Sequence, residues 1–575
     1  MRTKLALLLA LSAVATPALA VDYIVTRTDD PALNSLSLTP CLPSGGCSLR
    51  QAVLATNKNP GADRILLSKK IYSLSLSASS SVIDGKTGPL WVTGDLQIVG
   101  AGAALTRVRW LAGLPAHTNA LINQSPASAS AAAPQLGLLS LTLSDGRGSS
   151  GGCVQSTGSA LELRDSVIEN CKATYGGAIH LHTPSLTMTR AILRGNQASI
   201  SGGAIRFGLS SMVTASGVEL VNNTALQDGG ALFAAGNQTP IYGVNNSINV
   251  TWANQGATLF ADNSAGRNGG AIALIGLAHF NAHSLAAEGL RMVLERNVAG
   301  ARGGAIDLSA PYPTEFTTLR LDLRNARLSN NAAANGGAIA SKGWIYIYSS
   351  EFVSNAAQAG NGGAITLDYA SASFPGAAFI TGSSFNQNTA STHGGAIASA
   401  CQELSLSHSS LYANTAQTEG EAIAASGLTA LRHITTDGHG PSNFSGPSTL
   451  YKSYNTACGA QAFVLTNSLI AGQDSCFAPS AGTIASNGGN QFGPGAGGCF
   501  QMAGLDQGHS SASVFGLSLG TFGGVKNVLG WNNDGLSRPQ RNFAQSLYCT
   551  AGTVDVRGLP RNDGACDAGA FEQQP

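Results

Sequence analysis

Apolar and polar residues alternate in short bursts along most of this chain, and the bursts recur at a fixed place relative to a pair of glycines. After the pair that starts at Gly176, Ile179 and Leu181 fall on one parity and His180 and His182 on the other. The same parity returns in Ile205 and Phe207 against Arg206 and Gly208, in Ile306 and Leu308 against Asp307 and Ser309, and in Ile365 and Leu367 against Thr366 and Asp368. Alternation over four residues predicts a strand with one buried face. A second alternating run comes earlier in each unit, as in Leu404-Ser405-Leu406 and Leu319-Arg320-Leu321-Asp322-Leu323. Nothing with helical periodicity lies between the runs, so each unit predicts two or three short strands.

The units repeat. Gly-Gly-Ala-Ile or a near variant begins at Gly176, Gly202, Gly229, Gly269, Gly303, Gly336, Gly362, Gly394 and Gly420, and a divergent copy, Gly151-Gly152-Cys153-Val154, precedes them. Spacings from Gly151 run 25, 26, 27, 40, 34, 33, 26, 32 and 26 residues, so one unit is close to 26 residues and four intervals carry insertions. A fixed period in this range is the mark of a solenoid, and most units are too short for the blades of about 40 to 50 residues that a propeller needs. Before each glycine pair stands an asparagine: Asn170, Asn196, Asn223, Asn263, Asn297, Asn331, Asn355, Asn388 and Asn414, seven of the nine at six residues' distance. Stacked at one site, these amides can bond to one another along the axis, while the glycines supply positive φ and close approach of neighbouring coils. The expected fold is all-β: a right-handed, single-stranded parallel β-helix of roughly 12 to 16 coils, about 60 to 75 Å long at the spacing between paired strands. An N-terminal cap should cover its open end.

Composition bounds the function more than it names one. With 71 glycines, 43% hydrophobic and 11% charged residues, the surface is one of Ser, Thr and Asn, and no charge run exists to hold nucleic acid or an anionic membrane. Arg2 and Lys4, the apolar run from Leu5 to Val14 and Ala18-Leu19-Ala20 read as a secretory signal cut after Ala20. Removing it leaves 30 basic against 31 acidic residues, a formal charge of −1. The leader run is well short of the roughly 20 apolar residues of a membrane span, and no later segment could span either. Ten cysteines, Cys41, Cys47, Cys153, Cys171, Cys401, Cys458, Cys476, Cys499, Cys549 and Cys566, form no close zinc-type pair and suit disulfides in an oxidising space. Nearest-neighbour pairing would join them two by two in that order. No cofactor or metal site is expected, and the chain should be a monomer.

Polysaccharide chemistry on a β-helix needs clustered carboxylates on one outer face, for calcium or for an acid and base pair. Residues at one offset in successive coils stack about 4.8 Å apart. The fourth-offset column reads His180, Arg206, Phe233, Ala273, Asp307, Ala340, Thr366, Ala398, Ala424, and the sixth reads His182, Gly208, Ala235, Ile275, Ser309, Lys342, Asp368, Ala400, Ser426. Neither stacks two carboxylates. Asp437-Gly438-His439-Gly440 resembles the Gly-His-Gly of polygalacturonases, making Asp437 and His439 weak catalytic candidates. Matching Leu406–Asn414 with Leu431–His439 instead sets His408 against His433 and puts His439 in a ladder slot that has lost its Asn. The pair His180 and His182 reads as an exposed strand edge, since the register supplies no third metal ligand. Gly-Gly-x-Gly-x-Asp calcium repeats are absent from the sequence.

Three stretches resemble known families. Cys47-Ser48-Leu49-Arg50-Gln51-Ala52-Val53, with Ala55-Thr56-Asn57 and Pro60-Gly61-Ala62-Asp63-Arg64-Ile65, resembles the CSLREA domain at the start of secreted bacterial β-helix proteins, Gln51 replacing the usual Glu. The glycine-pair units with Phe260-Ala261-Asp262-Asn263, Phe352-Val353-Ser354-Asn355 and Phe385-Asn386-Gln387-Asn388 look like the repeats of polymorphic outer membrane proteins. Asn467-Ser468-Leu469-Ile470, Gly488-Gly489-Asn490 and Cys566-Asp567-Ala568-Gly569-Ala570-Phe571-Glu572 resemble the choice-of-anchor Q domain. These imply a leader at 1–20, a CSLREA-like cap and first coils at 21–110, the repeat helix at 111–457 and a choice-of-anchor Q-like end at 458–575. No pattern of barrel strands follows the repeats.

The function expected from these readings is non-catalytic: a secreted or cell-surface, adhesin-like protein that binds a polysaccharide or a cell-surface component. Its recognition surface is expected from the insertions between Leu232 and Gly269 and between Ile272 and Gly303, the longest breaks in the period. A polysaccharide lyase or glycoside hydrolase is one alternative, and a structural envelope or matrix component without a specific ligand is another.

Overall fold

A computed structural model describes residues 20–32, 41, 46–59, 61–76, 85–112, 119–236, 248–284, 291–309, 319–368, 376–437 and 448–452, with shorter stretches from 461 to 572. The leader, apart from Ala20, lies outside these residues. The fold is a parallel β-helix. One coil shows the plan: strands Ala160–Arg164 and Val167–Glu169 lie on a long face, Lys172–Tyr175 on a short face, and Ile179–Leu181, just past the glycine pair, on a third. Each pairs in parallel with its counterpart one repeat on, Leu161 with Leu186, Ile168 with Leu193, Ala173 with Ala198 and Ile179 with Ile205. Among the described residues the long face forms a 31-stranded sheet, the short face a 10-stranded one and the glycine face a 14-stranded one.

Alternation builds the core directly. Ile179, Ile205, Leu232, Ile272, Ile306, Ile339, Ile365, Ile397 and Ile423 stack inward at 0% exposure. Phe352 and Phe385, from consecutive coils, stack inside with centroids 4.7 Å apart. Because every coil repeats the same inward set, apolar area is removed from water evenly along the axis.

Left-handed corners recur at three places around the coil. Asp165, Arg190, Asn325, Ser349, His408 and His433 mark the first, Asn170, Gly195, Asn222, Asp262, Arg296, Asn330, Ser354, Gln387 and Ala413 the second, and the first glycine of each pair the third, all at positive φ. The second glycine answers a different need. A Cβ on Gly337 would overlap the Gly363 carbonyl and the Ala356 amide of the next coil, so the pair lets coils meet backbone to backbone. The exception is Glu421, which replaces the second glycine after Thr415–Ala416, the last short-face strand among the described residues.

The asparagines form a continuous ladder behind the second corner. Asn196, Asn223, Asn263, Asn297, Asn331, Asn355 and Asn388 each donate from Nδ2 to the Oδ1 of the next at 2.9–3.0 Å, ending on Asn414. Asn170 is not a rung. It occupies the second corner at φ 56, and Cys171 fills the first slot, its amide donating to Asn196 Oδ1 at 3.1 Å. An irregularity between Ala173 and Tyr175 makes counting back from Gly176 land one residue early.

The ends are built differently. Near the N-terminus a helix, Leu49–Thr56, starts in a capping box in which Gln51 Oε1 accepts from Ser48 N at 2.9 Å, so the amide at position 51 serves as a Glu would. Leu49, Ala52 and Val53 join the core, against the strands Asp22–Val25, Asp63–Leu67 and Leu90–Val92. Arg50, 1% exposed, is locked by Asp30 at 2.7 and 2.9 Å and by the Gly88 carbonyl at 2.9 Å. Toward the C-terminus, Ala570 N donates to Thr435 Oγ1 at 2.8 Å and Gly569 N to Asn467 O at 2.9 Å, folding the tail back on the coil 429–437. Arg561 and Glu572 close that tail with a buried ion pair of 2.9 Å.

Disulfides join Cys41 to Cys47 and Cys153 to Cys171, and Cys401 and Cys566 are also disulfide-bonded. Cys458, Cys499 and Cys549, and the side chain of Cys476, fall outside the described residues.

Candidate functional site

Beside the glycine pairs two columns of side chains meet. The residue just before each pair bridges to its counterpart along Ser201, Asp228, Asn268, Arg302 and Asn335, and the turn folds this column against the fourth-offset column. Pairings run unbroken through the latter from His180 to Ala424, including Asp307, Ala340 and Thr366. Arg302 is the consequence. Its Nε donates to Asp307 Oδ1 at 3.1 Å and its Nη1 to Asp368 Oδ2, tying together two carboxylates two coils apart. Ser309 Oγ donates to Asp307 and Thr366 Oγ1 to Asp368, the latter at 3.3 Å. Arg267 and Asn268 hold Asp228 in the same corner. The columns read one offset at a time do not reveal this cluster; the signal is the charged residue ahead of the glycines, Asp228, Arg302 and Glu419.

Asp307 is 0% exposed, and burial pushes its carboxyl up to about 6 against the opposing pull of Arg302 and Ser309. Asp368, whose side chain is 28% exposed, lines a cleft of about 200 Å³ with Asn361, Thr366, His393, Ser399 and Tyr451. His393 and Tyr451 stack there with centroids 5.8 Å apart. Both acids are thus occupied by one guanidinium, and the one with the raised carboxyl is sealed from solvent.

His180 and His182 are half-buried, not an exposed strand edge. Their Nε2 atoms lie 3.0 Å apart, and Arg206 covers the neighbouring Tyr175 ring at 4.0 Å. Burial, then the neighbouring His182 and Arg206, push His180 down to about 3, and burial followed by Arg206 lowers His182, so both rings are neutral at pH 7. Among the described residues no group of three or more His, Cys, Asp or Glu side chains is placed to hold a metal ion.

Asp437 ends the strand Thr429–Asp437 in register with Tyr412; His439 lies outside the described residues. His408 and His433 stack at 5.0 Å on the first corner, and burial pushes His408 down to about 3. Of the expected recognition insertions, 237–247 and 285–290 also lie outside the described residues. The chain immediately after 247 is no loop: Ile248–Asn254 is a long-face strand with Ile248, Val250 and Trp252 inward, Trp252 at 0% exposure against Phe260 and Phe280. Among the described residues no helix is long and apolar enough to cross a membrane.

Residues 382–400 match the family model of the Chlamydia polymorphic membrane protein repeat. They span the ladder residue Asn388 and the glycine pair Gly394-Gly395, one coil's worth of the pattern. No curated protein and no solved structure matches the chain.

Proposed function

We propose that this protein is a secreted or cell-surface β-helix that binds a glycan or another surface component without transforming it. The observation that carries this reading is the state of the outward acids. Asp307 and Asp368 share Arg302 and Asp228 is held by Arg267, so the corner is a closed network of ion pairs rather than a free acid and base pair. The matched membrane-protein repeat supports a location at the cell surface. The resemblances at the two ends, CSLREA-like around the helix Leu49–Thr56 and choice-of-anchor Q-like around Cys566–Glu572, agree with an exported scaffold that is closed at both ends. Incubating the purified protein with a polysaccharide panel and with intact cells tests the reading. Saturable binding is expected, with neither new reducing ends nor absorbance from unsaturated products.

One observation favours a polysaccharide-degrading enzyme instead: a carboxyl raised to about 6 and joined through Arg302 to a second acid that lines a cleft, two acids held in different states as a general acid and its partner are. Turnover that survives purification and disappears in both Asp307→Asn and Asp368→Asn would decide for it.

A further inference from the structure

On the strand Ile179–Leu181 the two apolar side chains point into the core at 0% exposure, which turns His180, and His182 just beyond, to the outside of the glycine face. Both histidines are only partly buried, so solvent reaches the pair. Their rings meet edge to face with centroids 4.3 Å apart and Nε2 atoms 3.0 Å apart. The next coil makes room for this arrangement. A Cβ on Gly208 would stand 2.1 Å from Cε1 of His182, so any side chain there would push the imidazole away. Gly208 is not among the glycines at positive φ. Its lack of a side chain serves the histidine pair, not a turn.

Packing does not call for the pair. Whichever ring donates across the 3.0 Å contact, His180 Nδ1 stays buried without a hydrogen-bond partner, which costs stability. Later coils carry Asp307 with Ser309, or Ala398 with Ala400, at the same two offsets, so the fold accepts other side chains there. Two imidazole nitrogens that face each other can instead share a metal ion. An ion about 2.0 to 2.1 Å from each would view them at roughly 90 to 97°, which suits adjacent corners of the tetragonal shell that copper(II) forms with nitrogen and oxygen donors. Tetrahedral zinc would need the nitrogens further apart. Gln155 stands beside His180 on the preceding coil with its amide unbonded among the described residues, placed to offer an oxygen. The opposing influence is Arg206, whose guanidinium is held over the Tyr175 ring at 4.0 Å.

We propose that His180 and His182 form a copper(II) site in which both Nε2 atoms ligate one ion at adjacent positions, with the Gln155 amide oxygen and water filling the others. The single hydrogen that the two Nε2 atoms share moves to Nδ1 of its own ring when the ion takes its place. Two protein imidazoles are fewer than the closed shell of a structural zinc site, and sequence spacing alone does not reveal how near they lie.

The test uses the full secreted chain without an affinity tag, stripped of metal with a chelator and titrated with copper(II) chloride in a non-coordinating buffer. Calorimetry should show saturable micromolar binding, and electron paramagnetic resonance should show two equatorial imidazole nitrogens. His180→Ala and His182→Ala should each weaken binding at least about tenfold, and Gly208→Ala should weaken it by displacing the His182 ring. Arg206→Gln should tighten it, because a neighbouring like charge is removed. Without metal, the variants should melt as the parent does. Where a histidine variant fails to fold, the parent answers alone: copper(II) should shield His180 and His182 from diethyl pyrocarbonate, read by peptide mapping. A parent that binds no copper(II), undiminished binding in both histidine variants, a spectrum without two imidazole nitrogens, or equal modification with and without copper(II) would each overturn the proposal.

Discussion

Truncating one internal rung of the asparagine ladder, Asn331→Ala, should cost about 4 to 6 kcal/mol. Asn331 is 0% exposed. Its Nδ2 donates to Leu294 O at 3.0 Å and to Asn355 Oδ1 at 2.9 Å, and its Oδ1 accepts from the backbone N and the Nδ2 of Asn297, both at 3.0 Å. Alanine removes all four. Asn355 Oδ1 keeps the Asn331 backbone amide at 3.0 Å and Asn297 Nδ2 keeps Phe260 O at 3.0 Å, so those two groups remain partly satisfied. The buried Asn297 N–H loses its acceptor, at about 1 to 3 kcal/mol, and each remaining lost bond adds about 1 kcal/mol net. Asn330→Ala is the control one residue away: Asn330 is exposed at a left-handed corner with φ 55, and the change should cost roughly 1 kcal/mol of backbone strain. Denaturant titration reads the difference, and hydrogen exchange at the Asn297 amide locates it. Equal midpoints for the two variants, or a loss below about 1 kcal/mol for Asn331→Ala, would show that the rungs are satisfied by water and that the ladder does not hold the coils.

Gly337→Ala should destabilise severely, because its Cβ overlaps the Gly363 and Ala356 backbones; a large drop in the thermal melting midpoint is the check. Asp307→Asn should flatten the pH dependence of stability: with the folded carboxyl raised to about 6, the Asp307 contribution is fully present below about pH 4 and lost as pH rises through 6, and denaturation midpoints across that window check it. Opening the Cys153–Cys171 bridge by Cys153→Ser should cost about 3 kcal/mol for a loop of 18 residues, read by denaturant titration. Ile347→Ala should cost about 2 to 5 kcal/mol, against under about 1.5 for Trp344→Thr, which gives up only ring stacking; a reversed order in the melts would contradict the assigned strand parity.

Period-two alternation makes the strands and the inward stacks legible, because one side chain per position decides which face is buried. Six-residue spacing finds the ladder for the same local reason, and misplaces only Asn170, where the irregularity before Tyr175 alters the count. Two features escape this kind of reading. Excess length over the period looks like loop, although Ile248, Val250 and Trp252 already alternate and form a strand with its rings in the core. The Arg302 cluster is hidden differently. It joins the residue before one glycine pair to residues five positions on and two coils away, contacts fixed by the turn and the register together and by no single column.

The division of labour between columns lets a solenoid of this kind change its outward surface without losing its fold. Stability resides in the inward isoleucines and leucines, the glycine corners and the amide ladder, each of which contacts mainly its equivalent one coil above and below. Outward positions on the long face answer to none of these. Serine and threonine at 185, 187 and 189 and aromatic rings at 344, 346 and 348 sit on the same kind of strand, with the same apolar parity beneath them. Some outward residues are interdependent: on the long face Asp322 joins His279 and Arg320, and at the corner where two columns converge Arg302 joins Asp307 and Asp368, where a substitution alters stability and surface together. Outward positions without such links can therefore vary freely, while the converging corner is suited to a fixed structural or chemical role.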